Sequence, residues 1–228
     1  DMKFEYLLVT NLFRDQLDRY GELNTTKKKI QAGIEENEDL TLILNADDPT
    51  LADIDTKLTN GTRKKIYYGI ENISFAGYDK NSKSPSEIIH CNRCTLPLKY
   101  DKIFYSQLGK WYCPCGNRRV QPDIKADVKM FSDHFFLYIT YDGKTYNFKV
   151  NLTGLYNAYN ALAAISCALV NGVERRFIDK ALENYKPVFG RNQNIFLNQK
   201  PTTVYLIKNP VGASEVLRGL KNLEHAHI

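Results

Sequence analysis

Two close pairs of cysteines carry the plainest chemistry in this sequence. Cys91-Asn-Arg-Cys94 is one pair; Cys113-Pro-Cys115-Gly is the other, one residue tighter than C-x-x-C. The interval between them, TLPLKYDKIFYSQLGKWY, has the length of a ribbon hairpin. Zinc takes four thiolates at the corners of a tetrahedron, and two knuckles joined by a hairpin supply them. Gly116 suits the turn that a knuckle requires. Four thiolates leave no open position for water or substrate, so the expected role is structural, worth about 10–16 kcal/mol to the segment. A dithiol redox centre needs one pair rather than two. His90 adjoins Cys91 but is dispensable once four cysteines are present. Cys167 lies in an apolar helical run and reads as a small buried hydrophobe.

The elements that must position these groups follow from the apolar pattern. Phe4 to Thr10 (FEYLLVT) has strand character and ends at Asn11. Thr25 and Thr26 are N-cap candidates for a helix through KKKIQAGIEEN. Leu40 to Leu44 (LTLIL) predicts a buried strand closed by the turn-rich NADDP, with a short helix in LADIDTKL. Lys65 to Tyr68 predicts a third strand, stopped by Gly69. Strands alternating with helices indicate a mostly parallel α/β sheet. From about Glu71 to Pro122 the chain is polar and turn-rich, which reads as an insertion holding both cysteine pairs. HFFLYITY and KTYNFKV then flank Asp142-Gly143, a tight-turn signal for an antiparallel hairpin. Helices are expected in LYNAYNALAAISCALVNG, ended by Gly172, and in RRFIDKALENY, stopped before Pro187. TTVYLIKNP reads as the first strand of a further α/β unit. The expected division is a central domain over 1–195, interrupted by the insertion at 71–122, and the start of an incomplete domain over 196–228.

At 228 residues, 43% hydrophobic and 25% charged, the composition is that of an ordinary globular protein with a sizeable core. The formal charge is +5, and four thiolates around a dication would bring it down by about two. The basic residues are scattered rather than striped, which does not favour a nucleic-acid footprint. No apolar run reaches the roughly 20 residues that span a bilayer, and no basic-then-apolar leader is present, so a cytoplasmic setting is expected.

Three motifs, in order and at consistent spacing, resemble the central domain of the Mur ligases. Thr10-Asn-Leu-Phe-Arg-Asp-Gln-Leu-Asp18 looks like the family's T-N-x-x-x-D-H-x-D after a core strand. Asn45-Ala-Asp-Asp-Pro49 is the second. Gly154-Leu-Tyr-Asn157-Ala-Tyr-Asn160-Ala-Leu-Ala-Ala164 is similar to G-x-x-N-x-x-N-x-x-A-A, and Phe189-Gly-Arg191 adds the G-R element. The resemblance implies an ATP-dependent carbon–nitrogen ligase in which ATP phosphorylates a carboxylate and an amine displaces phosphate. Asn157 and Asn160, three apart on one helix face, would meet the adenine end of ATP, their amides offering donor and acceptor to its edge. Binding nearby backbone is the plainer alternative. Arg191 would meet the phosphates or ribose, although a surface loop arginine is the other reading. Asn11 and Asp15 would face magnesium and the acyl phosphate at the carboxyl end of a strand; Asp15 reads equally as a structural cap. Gln16 stands where the family has a metal-binding histidine. Lys27 aligns with a lysine carbamylated in several members, and Lys27-Lys28-Lys29 reads equally as a solvated basic run. Asp47 and Asp48 approach the nucleotide or serve as turn residues.

Gln16 and the inserted ribbon point to one branch of the family, as does Lys208-Asn-Pro-Val-Gly212 in place of H-N-P. That branch amidates the D-glutamate carboxylate of lipid II, using ammonia from a glutaminase subunit of the GatD type. ATP, Mg2+ and structural Zn2+ are the implied cofactors, and the inner face of the membrane the place of work. The phosphate-binding G-x-x-G-K-T loop and most of the C-terminal domain do not appear in the sequence, so a truncated, inactive form is expected. A different Mur-type amino-acid ligase is one alternative. A zinc-ribbon module binding nucleic acid or protein through Lys99, Lys102, Lys110, Arg118 and Arg119, with Tyr100, Phe104, Tyr105 and Trp111, is another.

Overall fold

Short β-branched and leucine-rich runs form the sheet. In the computed structural model, residues 4–13, 23–37, 39–54, 63–75, 89–185 and 193–204 are described, with the isolated residues 207 and 213. The strands are β1 (Tyr6–Val9), β2 (Thr41–Asn45), β3 (Lys65–Phe75), β4 (Lys99–Tyr105), β5 (Leu108–Tyr112), β6 (Ile124–Met130), β7 (Phe135–Tyr141), β8 (Lys144–Val150), β9 (Gln193–Leu197) and β10 (Lys200–Val204). The helices are α1 (Leu23–Glu35), α2 (Leu155–Val170) and α3 (Arg175–Asn184). A 3-10 turn covers Pro49–Leu51.

Among the described residues the main sheet runs β1-β2-β3-β6-β7-β8. The first four strands are parallel; β7 and β8 extend the sheet antiparallel. Two apolar clusters cover its faces. Leu40, Leu42 and Leu44 meet Ile34 of α1 with Leu51 and Ile54. On the other cluster's side, Ile43, Tyr68, Ile70 and the inward residues of β6–β8 meet α2. Along β7 the buried Phe135, Leu137 and Ile139 alternate with more exposed Phe136, Tyr138 and Thr140, as the two-residue period of a strand requires. The helix α2 is buried on most of its circumference, with alanines at 158, 161 and 163 allowing close approach to the sheet.

Several expectations shift. Gly69 does not stop β3, which continues to Phe75 and pairs with β6 from Tyr68 onward, with a register shift between Ile70 and Asn72. The reason lies in space: a Cβ at Gly69 would fall 2.7 Å from Arg119 Nη2, 2.8 Å from Asp47 Oδ1 and 2.9 Å from Pro122 Cγ. The glycine lets the chain pass a side-chain pair, as strand glycines often do. Residues 71–75 therefore belong to the sheet. Thr25 and Thr26 lie inside α1, which already includes Leu23, so Lys27 lies beyond its first turn. Lys200–Val204, which includes the start of TTVYLIKNP, pairs antiparallel with β9 as a hairpin. The Asp142-Gly143 turn joins β7 to β8 as expected, both residues having positive φ.

Candidate functional site

The cysteines close a compact cluster. All four Sγ atoms lie within 4.8 Å of one another, with Cys91–Cys115 at 3.6 Å and Cys94–Cys113 at 3.4 Å. A tetrahedron with Zn–S bonds of about 2.3 Å has edges of about 3.8 Å, so the arrangement fits a zinc ion. Each knuckle is tied by main-chain bonds. Thr95 N and Cys91 N bond Cys91 O and Leu96 O in the first, and Gly116 N bonds Cys113 O in the second. Gly116 takes φ +89°, which an L side chain rarely adopts. Burial opposes ionisation of Cys91, but the Asn117 amide and the Arg93 and Cys94 N–H groups outweigh it and bring the thiol down to about 6. The cluster comprises the four cysteines alone, and neighbouring His90 bridges to Pro97 through its backbone instead.

The ribbon hairpin β4–β5 is docked, not loose. Phe104, Tyr105, Leu108 and Trp111 are buried, the tryptophan to 2% exposure. Trp111 Nε1 donates to Ala46 O at 3.1 Å, and Gln107 Nε2 to Leu12 O at 3.1 Å. Arg119 and Lys110 reach Glu71 at 2.9 and 2.6 Å. These aromatic rings form core and are not displayed for stacking on bases.

The carboxyl ends of β1 and β2 meet at one edge of the sheet. There Asn45 Nδ2 donates to Thr10 O at 3.0 Å. Asp48 accepts from Leu12 N at 2.8 Å and from Thr50 N and Oγ1 at 2.9 and 2.6 Å. Asp47 accepts from Arg119 Nε at 2.6 Å, Ile70 N at 2.8 Å and the Tyr159 hydroxyl at 2.9 Å. Burial raises the pKa of Asp47, against the pull of Arg119 and these donors. Burial also opposes the charge of Arg119, but Asp47 and Glu71 hold its guanidinium protonated. With three donors converging on the carboxylate, the pair is ionic. Asp47 and Asp48 are thus spent on internal contacts, which is the turn-chemistry reading extended to a whole network.

Asn11 is half-buried in the loop after β1. Asn157 lies in the first turn of α2 and donates to Thr153 O at 2.7 Å; Asn160 is exposed one turn on. Gly154 precedes the helix at φ +88°. Tyr159, which is buried, ties this turn to the β2 loop through Asp47. Lys27 is ion-paired with Asp53 and also contributes a favourable charge near Asp48. Asp15, Gln16 and Arg191 lie outside the described residues, as do Lys208-Asn-Pro-Val-Gly212. The sequence did not single out Tyr159, Gln107 or the pairing role of Arg119. Their partners are 48 to 112 residues away, so no local spacing marks them.

A mostly parallel sheet with a glycine-led helix carrying Asn157 and Asn160, and loops gathered at the carboxyl ends of its parallel strands, is the arrangement of an α/β ligand-binding domain. The chain matches the Mur ligase middle domain over residues 1–168 and belongs to the Mur ligase family. Among its relatives are the proteins called lipid II isoglutaminyl synthase (glutamine-hydrolyzing) subunit MurT. The one from Staphylococcus aureus (strain COL) is 33% identical over 218 residues, 96% of this chain and 47% of that protein. The one from Streptococcus pneumoniae (strain ATCC BAA-255 / R6) is 32% identical over 225 residues, 94% of this chain and 46% of that protein. The chain thus spans about half the length of the curated relatives it matches. A pseudomurein peptide ligase type C from Methanothermus fervidus superposes with TM-score 0.76 at 29% identity, over 94% of this chain and 41% of its own. MurF from Acinetobacter baumannii shares the fold, with TM-score 0.64 at 14% identity, over 96% of this chain and 38% of its own.

Proposed function

We propose that this chain is the central part of an ATP-dependent amide-forming ligase that converts the D-glutamate carboxylate of lipid II to D-isoglutamine. The observation that carries this reading is the extent of the match to the MurT relatives. At 96% of the chain it has to include the cysteine-bearing insertion as well as the Mur ligase sheet. Gln16, in place of a histidine, supports the same branch.

In this reading Asn160 and Asn157 hold the adenine end of ATP, and Arg191 binds its phosphates. Asn11 borders the acyl phosphate from the loop after β1, where open α/β sheets bind ligands, and Asp15 and Gln16, which follow it in the sequence, act with it. Mg2+ supplies charge neutralisation on the transferring phosphoryl group. Lys27, which is paired with Asp53, stands at the position carbamylated in several members of the family. ATP phosphorylates the carboxylate, and ammonia from a glutaminase partner attacks the acyl carbon, losing a proton and expelling phosphate. The four cysteines hold structural zinc. The protein works in the cytoplasm at the inner membrane face; among the described residues no helix is long and apolar enough to cross a membrane.

A second reading, ligation of an amino acid to a peptide, is favoured by the similarity to the pseudomurein peptide ligase. The test is amidation of lipid II by the full-length protein with a glutaminase from the same source, ATP and glutamine, read by mass spectrometry. Carboxyl converted to carboxamide is expected. An amino-acid adduct in place of the amide, or an unchanged stem peptide, overturns the proposal.

A further inference from the structure

We infer that the ribbon buttresses the nucleotide-binding edge, with Arg119, Asp47 and Tyr159 as positioning residues that join the two. The inference rests on the proposed placement of ATP against Asn157 and Asn160.

Three routes lead from the ribbon to that edge. Arg119, two residues past Asn117 of the second knuckle, clamps Asp47, and Asp47 in turn fixes the Tyr159 hydroxyl on α2. Tyr105 of β4 packs on Tyr159 with ring centroids 6.4 Å apart, and on Phe13 at 5.7 Å. Gln107 Nε2 and Gly109 N bond the carbonyls of Leu12 and Asp47, one in each strand-end loop. The ribbon therefore touches both walls of the proposed site: the loop holding Asn11 and the helical turn holding the asparagines.

The clamp is not replaceable from within the sheet. Asp47 is fully buried, and among the described residues its cationic partner is Arg119, supplied by the ribbon. Undocking the ribbon would leave a buried carboxylate without a counter-charge, a state costly enough to force the loop to rearrange. Tyr159 would then lose its fixed acceptor, and the turn between Asn157 and Asn160 its anchor. By thermodynamic reciprocity, a nucleotide that favours the anchored turn must also favour the docked ribbon.

The experiment uses the full-length protein and the non-hydrolysable analogue AMP-PNP with Mg2+. Affinity is measured by calorimetry, and deuterium exchange is followed in the segment 99–119. In the parent protein, AMP-PNP is expected to slow exchange in that segment. Tyr159→Phe keeps the ring and removes the hydroxyl; it should bind roughly tenfold more weakly. It should also abolish the nucleotide-induced protection while retaining its zinc. A merely structural tyrosine would lower the melting temperature but leave the protection linked to nucleotide. Should Tyr159→Phe fail to fold, Arg119→Lys is read in the same way. Parent-like affinity and parent-like protection in the variant overturn the buttress. Asn160→Ala separates the two ideas. If it binds AMP-PNP as the parent does, the nucleotide placement falls and the buttress with it. If it binds weakly while Tyr159→Phe is unaffected, the buttress alone falls.

Discussion

Replacing Asp47 with alanine removes one acceptor from three converging donors. The carboxylate is fully buried and receives Arg119 Nε at 2.6 Å, Ile70 N at 2.8 Å and the Tyr159 hydroxyl at 2.9 Å. Deleting one member of a buried ion pair costs about 3–5 kcal/mol. Arg119 retains Glu71 at 2.9 Å and the Ile70 carbonyl at 3.0 Å, which favours the lower end of that range. Stranding a buried N–H or hydroxyl costs about 1–3 kcal/mol each, but groups sharing one acceptor do not add fully. The expected loss is about 4–6 kcal/mol, a large part of the 5–15 kcal/mol typical of a domain. Asp48→Ala is the internal reference. Among the described residues its carboxylate accepts hydrogen bonds from neutral donors, Leu12 and Thr50, with Lys27 acting on it only as a nearby charge, so about 2–3 kcal/mol is expected. Urea denaturation followed by circular dichroism gives both midpoints. An Asp47→Ala protein within about 1 kcal/mol of the parent, or one more stable than Asp48→Ala, would refute the assignment of Asp47 as the hub.

Two further outcomes follow from the ribbon. Elemental analysis of folded, metal-replete protein should give about one zinc per chain, and Cys113→Ser should lose most of it together with the docking of Trp111; folded parent protein without zinc contradicts the fit. Glu71 should shape the acid limb of stability. Burial opposes its charge, but Lys110 and Arg119 prevail and lower its pKa from the ordinary 4.5. A lowered folded value means that its contribution is complete above that ordinary value and is lost as pH falls through the folded one. Melting temperature against pH should therefore fall less steeply below pH 4.5 in Glu71→Gln than in the parent, and parallel curves would count against the pairing.

The sequence made the strands legible wherever an apolar run was bounded by turn residues, as at Leu40–Leu44 and around Asp142-Gly143. Four cysteines at knuckle spacing were equally plain, because a metal site is built from short local pairs. Gly69 misled, since a glycine that ends a strand and one that admits a neighbouring side chain look alike in sequence. The dual aspartates were visible as turn residues, but not as the meeting point of Arg119, Ile70 and Tyr159. That network depends on which loops the topology brings to one edge, and spacing along the chain does not encode it. Tyr159 sat in full view within G-L-Y-N-A-Y-N, overshadowed by the asparagines on either side.

The ribbon also lies within the connection between two parallel neighbours, β3 and β6. Closing this crossover means bringing together chain ends separated by the whole stretch from Phe75 to Ile124 before any pairing energy is gained. Joining Cys91 and Cys94 to Cys113 and Cys115 short-circuits much of that stretch. Metal capture in the nascent chain should consequently hasten register selection in the main sheet, and chains that miss it should linger with an unpaired β3 edge open to aggregation.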